Sequence, residues 1–247
     1  MKRLLIALQF LTIIPFNIKG KIEGEDFGGS LVYFPIIGLL IGLFLAGITY
    51  ISEFLPPLVT GVLILVAWMA ITGGIHLDGF ADTCDGFYGN RLKEDILKIM
   101  RDSRIGTMGA AGIAMLLLFK FTILSSIRSE DLWKVLIMTA VFARWSQVFA
   151  CSTSKYARDE GKAEYFIKYA KKTDMFTGAL FILILNWFMM GIKGVILFAL
   201  SAATIFLFIQ YVKRKIGGMT GDTIGATNEI AEAAALLFSL ILLSYKI

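Results

Sequence analysis

Charge is scarce in this chain: 17% of its 247 residues are charged, 57% are hydrophobic, and the mean hydropathy is +0.75. That deficit excludes an ordinary soluble domain. Cysteine is scarcer still. Cys84 and Cys151 lie far apart, so neither a disulfide framework nor a cysteine-ligated zinc site fits. His76 is the only histidine. No small-residue cleavage site follows the apolar run Leu4 to Phe16, where Asn17-Ile18-Lys19-Gly20-Lys21 stands instead. That run is expected to be retained as an interfacial or half-inserted helix and not removed as a signal peptide. The chain also shows no internal repeat, in contrast to the paired halves of many transporters.

Long apolar runs are plentiful, near residues 31–51, 58–74, 108–126, 134–151, 176–190, 195–212 and 229–245. A hydrocarbon core of ~30 Å needs about 20 apolar residues per helix. Only Gly191-Ile192-Lys193-Gly194 separates two of the runs, which form either a tight helical hairpin or one bent element. The expected fold is all-α: a polytopic membrane helix bundle of six or seven spans, in one domain over residues 1–247, with the lipid bilayer as its partner. With the N-terminus placed in the cytoplasm, 18 of the 24 lysines and arginines fall in inner segments, Lys19 and Lys162 among them. Four fall outside, Lys246 among them, and Lys120 and Arg144 lie within spans. This is the positive-inside pattern, and it accounts for the formal charge of +5 without a nucleic-acid partner. It also places every polar motif on one side, giving a cytoplasm-facing active site.

The first motif, Gly73-Gly74-Ile75-His76-Leu77-Asp78-Gly79-Phe80-Ala81-Asp82-Thr83-Cys84-Asp85-Gly86, follows directly on an apolar run. Asp78, Asp82 and Asp85 stand at i, i+4 and i+7, which puts three carboxylates on one helical face. Such like charges need a cation between them, and hard oxygen ligands suit Mg²⁺ or Mn²⁺ bridging to phosphate. His76 is either a hydrogen-bond partner of a neighbouring aspartate or a chemical participant. After an amphipathic stretch with Leu92, Ile96 and Met100 at helical spacing, expected along the membrane surface, comes Arg101-Asp102-Ser103-Arg104-Ile105-Gly106. Guanidinium forks beside glycines at a helix start make an anion site. A second acidic cluster precedes the last apolar run and contains Asp222, Asn228 and Glu229, with Glu232 at the position of an ordinary helix-dipole partner. Glycines around Asp222 and Glu229 permit close approach to a ligand. Arg144, deep in its span, marks a functional position.

The chain resembles the cobalamin synthase, or adenosylcobinamide-GDP ribazoletransferase, family. The matching blocks are Gln9-Phe10-Leu11-Thr12-Ile13-Ile14-Pro15, His76-Leu77-Asp78-Gly79-Phe80-Ala81-Asp82, Met100-Arg101-Asp102-Ser103-Arg104-Ile105-Gly106, Tyr156-Ala157-Arg158 and Gly221-Asp222-Thr223-Ile224-Gly225-Ala226. The resemblance implies a magnesium-dependent transfer of the adenosylcobinamide phosphate group from adenosylcobinamide-GDP to α-ribazole or its 5′-phosphate, releasing GMP. The expected site then has Asp82 and His76 as catalytic groups. Its metal ligands are Asp78, Asp82, Asp85, Asp222 and Glu229, and Arg101, Asp102, Arg104, Arg158, Asn228 and Arg144 bind substrate. It also implies the inner membrane of a prokaryote, compatible with a homo-oligomer or with association with other cobalamin-assembly enzymes. Two other readings are a CDP-alcohol phosphotransferase, whose Asp-Gly-x-x-Ala-Arg core is absent here, and a cation-coupled transporter.

Overall fold

The structure, a computed structural model, describes residues 1–18, 20–161 and 163–244. Lys19, Lys162 and Lys246, counted above among the topological charges, lie outside the described residues. The described chain is helical, without a strand: α1 (Lys2–Leu11), α2 (Gly24–Ser30), a 3-10 turn (Leu31–Tyr33), α3 (Phe34–Ile51), α4 (Pro57–Thr72), α5 (Ile75–Phe87), α6 (Lys93–Ile99), α7 (Thr107–Ser126), α8 (Ser129–Thr153), α9 (Ala163–Lys168), α10 (Lys172–Met190), α11 (Ile192–Ile216) and α12 (Gly221–Ser244).

Six helical stretches among these residues are long and apolar enough to cross a membrane, and α4 with α5 forms a seventh, broken one. That agrees with six or seven spans. Gly191, at φ +58°, separates α10 from α11, and the Asn186 side-chain amide donates to the Gly194 carbonyl across the turn at 3.2 Å. The two runs are therefore a hairpin of packed helices and not one bent element. At ten residues, α1 reaches ~15 Å and is too short to span. It ends at Leu11, well before Pro15, and buries Ile6, Ala7 and Leu11 against α2 and α3.

Almost entirely buried, α8 forms the axis of the bundle. Its tightest neighbour is α3, where small residues four apart let the backbones touch: a Cβ at Gly38 would lie 2.6 Å from the Ala140 carbonyl oxygen, and one at Gly42 2.7 Å from the Ile137 Cα. Outward-facing Leu40, Phe44, Leu118, Phe188 and Leu207 leave an apolar perimeter fit for lipid.

Three short turns (52–56, 127–128 and Gly191) join helices at one end; the longer basic connections lie at the other. At that basic end Gly73 and Gly74, at φ +65° and +64°, turn α5 by 94° away from α4. Only glycine takes two such left-handed positions without strain. In the α6 segment Ile96 and Met100 are buried against protein, toward α5, while Leu92 is exposed, so the apolar stripe expected along the membrane surface is turned inward in part. The last span starts earlier than its apolar run predicts: α12 begins at Gly221, so Asp222, Asn228 and Glu229 belong to the helix and not to a loop before it.

Candidate active site

The stripe of Asp78, Asp82 and Asp85 is carried on α5, as the spacing predicts. This helix packs along the start of α12, and Gly79 is the point of closest approach to Asp222. Asp82, half-buried between them, stands within electrostatic reach of Asp222, Asp78 and Asp85, with Arg158 as the opposing charge. Asp78 is exposed, and neither its carboxylate nor that of Asp82 has a hydrogen bond or ion pair among the described residues.

Three loops close over this junction. Tyr156 and Met219 form an isolated parallel bridge, with Met219 N–H donating to the Lys155 carbonyl at 2.8 Å and Ala157 N–H to the Met219 carbonyl at 2.9 Å. That bridge presents Arg158, whose guanidinium donates to Asp222 Oδ2 at 2.7 Å and to the Met100 carbonyl at 3.3 Å. Tyr156 lies beside Arg158, and burial pushes its phenol above the usual value, so it stays protonated as a donor. Between α5, α12 and these loops is a cavity of about 340 Å³ whose walls include His76, Asp78, Gln147, Tyr156, Arg158 and Asp222. A cavity of this size with a few convergent polar groups is the usual form of a small-molecule site. A larger one, of about 670 Å³, sits at the opposite end among Tyr50, Glu53, Arg128 and Trp133, away from the aspartates.

Several expected site residues have other partners. Asp85 accepts from the backbone N–H groups of Gly106, at 2.7 Å, and Gly109, at 2.8 Å. These are the donors at the start of α7 that the sequence offered to a substrate anion, and the protein's own carboxylate fills them. Asp85 is thus better placed to pin α7 to α5 than to ligate metal. Arg104 is exposed and paired with Asp102 at 2.8 Å, and its hydrogen bonds hold the Asp102 carboxyl down at about 2. Arg101 is exposed in a separate cavity of about 380 Å³, beside Lys93, Lys98 and Arg158.

Deeper in the bundle lies a second polar layer. Lys120 on α7 bonds Glu229 at 2.5 Å and Glu232 at 2.6 Å, and Arg144 bonds Glu232 at 2.5 Å. Asn228 adds a bond to Glu232 at 3.0 Å. All five side chains are buried. Glu229, expected to ligate metal, instead neutralises Lys120, and Arg144 and Asn228, expected to bind substrate, serve the same network. Two acids against two bases make it internally neutral, the condition for keeping charge inside a membrane. Sequence reasoning missed Lys120 and read Glu232 as a dipole partner, although a lysine within a span already implies a buried acid. It also missed Gln147, whose side-chain nitrogen lies 2.7 Å from His76 Nε2.

Among the described residues no group of three or more His, Cys, Asp or Glu side chains could hold a metal ion alone. Mg²⁺ commonly takes only one or two carboxylates, completing its shell with water and substrate phosphate. Asp82 with Asp222 or Asp78 fits that open arrangement; Asp85 and Glu229 do not.

A family model described as cobalamin-5-phosphate synthase matches residues 3–240. The chain is 38% identical over 239 residues to the adenosylcobinamide-GDP ribazoletransferase of Acetivibrio thermocellus, covering 96% of each chain. It is 37% identical over 233 residues to the enzyme so named from Geotalea daltonii, covering 94% of each. It is 37% identical over 248 residues to that of Clostridium novyi, covering 100% of this chain and 98% of the relative. No solved structure matches.

Proposed function

Because the chain belongs to the cobalamin-5-phosphate synthase family, we propose that it is a transferase that moves the adenosylcobinamide phosphate group of adenosylcobinamide-GDP onto α-ribazole or its 5′-phosphate, releasing GMP. The observation that carries this reading is the junction of α5 and α12, where unpartnered carboxylates, a guanidinium and a cavity meet. The relatives favour neither a phospholipid-forming enzyme nor a transporter.

The reaction forms a bond between the ribazole hydroxyl oxygen and the phosphorus nearest cobinamide. It breaks the bond from that phosphorus to the bridging oxygen, and GMP leaves with that oxygen. Asp82, with Asp222, would hold Mg²⁺. When bound, that ion neutralises charge on the phosphate oxygens. Arg158 faces the cavity while anchored to Asp222, so its remaining donors meet the diphosphate. Asp78, exposed in the cavity wall and without a protein partner, takes the hydroxyl proton. His76 is buried against Gln147, and its role is to support the floor of the cavity. The bundle's basic end is the cytoplasmic face, and the membrane is the inner membrane of a prokaryote.

The test is GMP release by the detergent-purified chain from adenosylcobinamide-GDP, with and without α-ribazole. Release that requires both substrates and stops with chelator supports the reading; no release from folded protein given both, with Mg²⁺ present, overturns it.

A further inference from the structure

A further cavity opens at the basic end of the bundle. It encloses about 580 Å³ at the C-terminal end of α5, and its walls include Asp85, Tyr88, Arg91, Asp102 and Arg104. Asp78 and Asp85 are seven residues apart on α5, about 10 Å at 1.5 Å per residue. Asp78 lines the first cavity and Asp85 this one, so an extended substrate can run along the acidic face from one to the other.

Two features give this cavity a chemical preference. Arg104 grips Asp102 with parallel bonds, Nε to Oδ1 at 3.0 Å and a terminal guanidinium nitrogen to Oδ2 at 2.8 Å. A guanidinium edge and the Watson–Crick edge of guanine present the same pattern, two N–H donors side by side from N1 and the exocyclic N2. Adenine has an acceptor at N1, and a pyrimidine has no such pair beside a purine-sized ring. Asp102 therefore already holds a mimic of guanine. The pair is exposed, and such surface pairs contribute little to stability, so exchanging one fork for the other costs little. The second feature is Tyr88, the residue that ends α5, whose exposed ring offers a flat face on which a base can stack.

We propose that this cavity is the guanine subsite of the transferase: Asp102 accepts N1–H and N2–H of the base, Tyr88 stacks on its face, and Arg104, released from Asp102, turns to the diphosphate. The proposal rests on adenosylcobinamide-GDP being the substrate. It adds what that reading leaves open, namely which residues tell guanine from other bases.

The experiment compares kcat/KM of the purified full chain for adenosylcobinamide-GDP and for its hypoxanthine and xanthine analogues, in wild type and Asp102→Asn. Wild type should prefer guanine to hypoxanthine, which lacks the N2 amine, by roughly tenfold or more, the range for losing one well-made base contact. In Asp102→Asn the side-chain amide donates to the C2 carbonyl of xanthine while its oxygen accepts N1–H, so the preference should reverse toward xanthine. An unchanged guanine-to-xanthine ratio in the variant overturns the subsite, even if both rates fall. Should the variant fail to fold, equal use of guanine and hypoxanthine by wild type overturns it as well. Inability of wild type to use adenosylcobinamide-GDP at all is a different result and removes the substrate assignment itself.

Discussion

Gly79 on α5 lies against the backbone of Asp222 on α12, so closely that a Cβ at residue 79 would stand 2.7 Å from the Asp222 carbonyl oxygen and 2.9 Å from its Cα. Neither neighbour is the end of a flexible side chain, so an added methyl must part the helices. Gly79→Ala should therefore spread the two carboxylate-bearing segments. Turnover should fall about a hundredfold, the scale of an ångström-sized misplacement of reacting groups. The check is turnover beside thermal unfolding in detergent; normal turnover would mean that the contact does not set the site.

Asp85 bonds two backbone N–H groups at the start of α7, and this separates it from the other two acids of its stripe. An asparagine there keeps one acceptor oxygen and loses the charge at the helix end. Asp85→Asn should cost about 1–2 kcal/mol of stability, as lost helix caps do. The Mg²⁺ concentration for half-maximal turnover should stay near the wild-type value. A large rise in that concentration without loss of stability would return Asp85 to the metal.

Lys120 neutralises Glu229 and Glu232 inside the bundle. Lys120→Met leaves an uncompensated buried acid and should cost about 3–5 kcal/mol, typical of a broken buried pair. Adding Glu229→Gln should recover a substantial part of that loss. Unfolding followed by tryptophan fluorescence distinguishes the outcomes: additive losses would mean the two residues do not act as a pair.

Asp102 is held at about 2 chiefly by its hydrogen bonds from Arg104, and an ordinary aspartate near 3.9 is still ionised well below neutrality. Its carboxylate thus stays charged above either value and loses charge only as pH falls toward them. The guanine-to-hypoxanthine preference should be flat from about pH 5 to 8, where both bases keep N1–H. A preference that titrates within that window would assign base recognition to another group.

Much of the bundle was legible because apolar length and basic loops follow from the bilayer itself. The carboxylate stripe was legible too, since Asp78, Asp82 and Asp85 share a helical face by spacing alone. The partners of buried charges were not. Nothing local in the sequence sends Glu229 to Lys120 109 residues away, or sets Arg144 beside Glu232. The glycines after Arg104 indicated an anion at the start of α7, correctly in chemistry, but the anion is Asp85 of the same chain. The start of α12 was missed because its first two turns are polar, and helices buried in protein need no apolar run there.

Asp82 is the centre of the account, half-buried among Asp78, Asp85, Asp222 and Arg158. The most direct measurement is GMP release by Asp82→Asn in the presence of both substrates and saturating Mg²⁺. The predicted result is a loss of at least about a hundredfold, the scale for removing a preorganised charge from a reacting site, with membrane insertion and unfolding temperature close to wild type. Release at the wild-type rate would contradict the assignment of the chemistry to the α5–α12 junction.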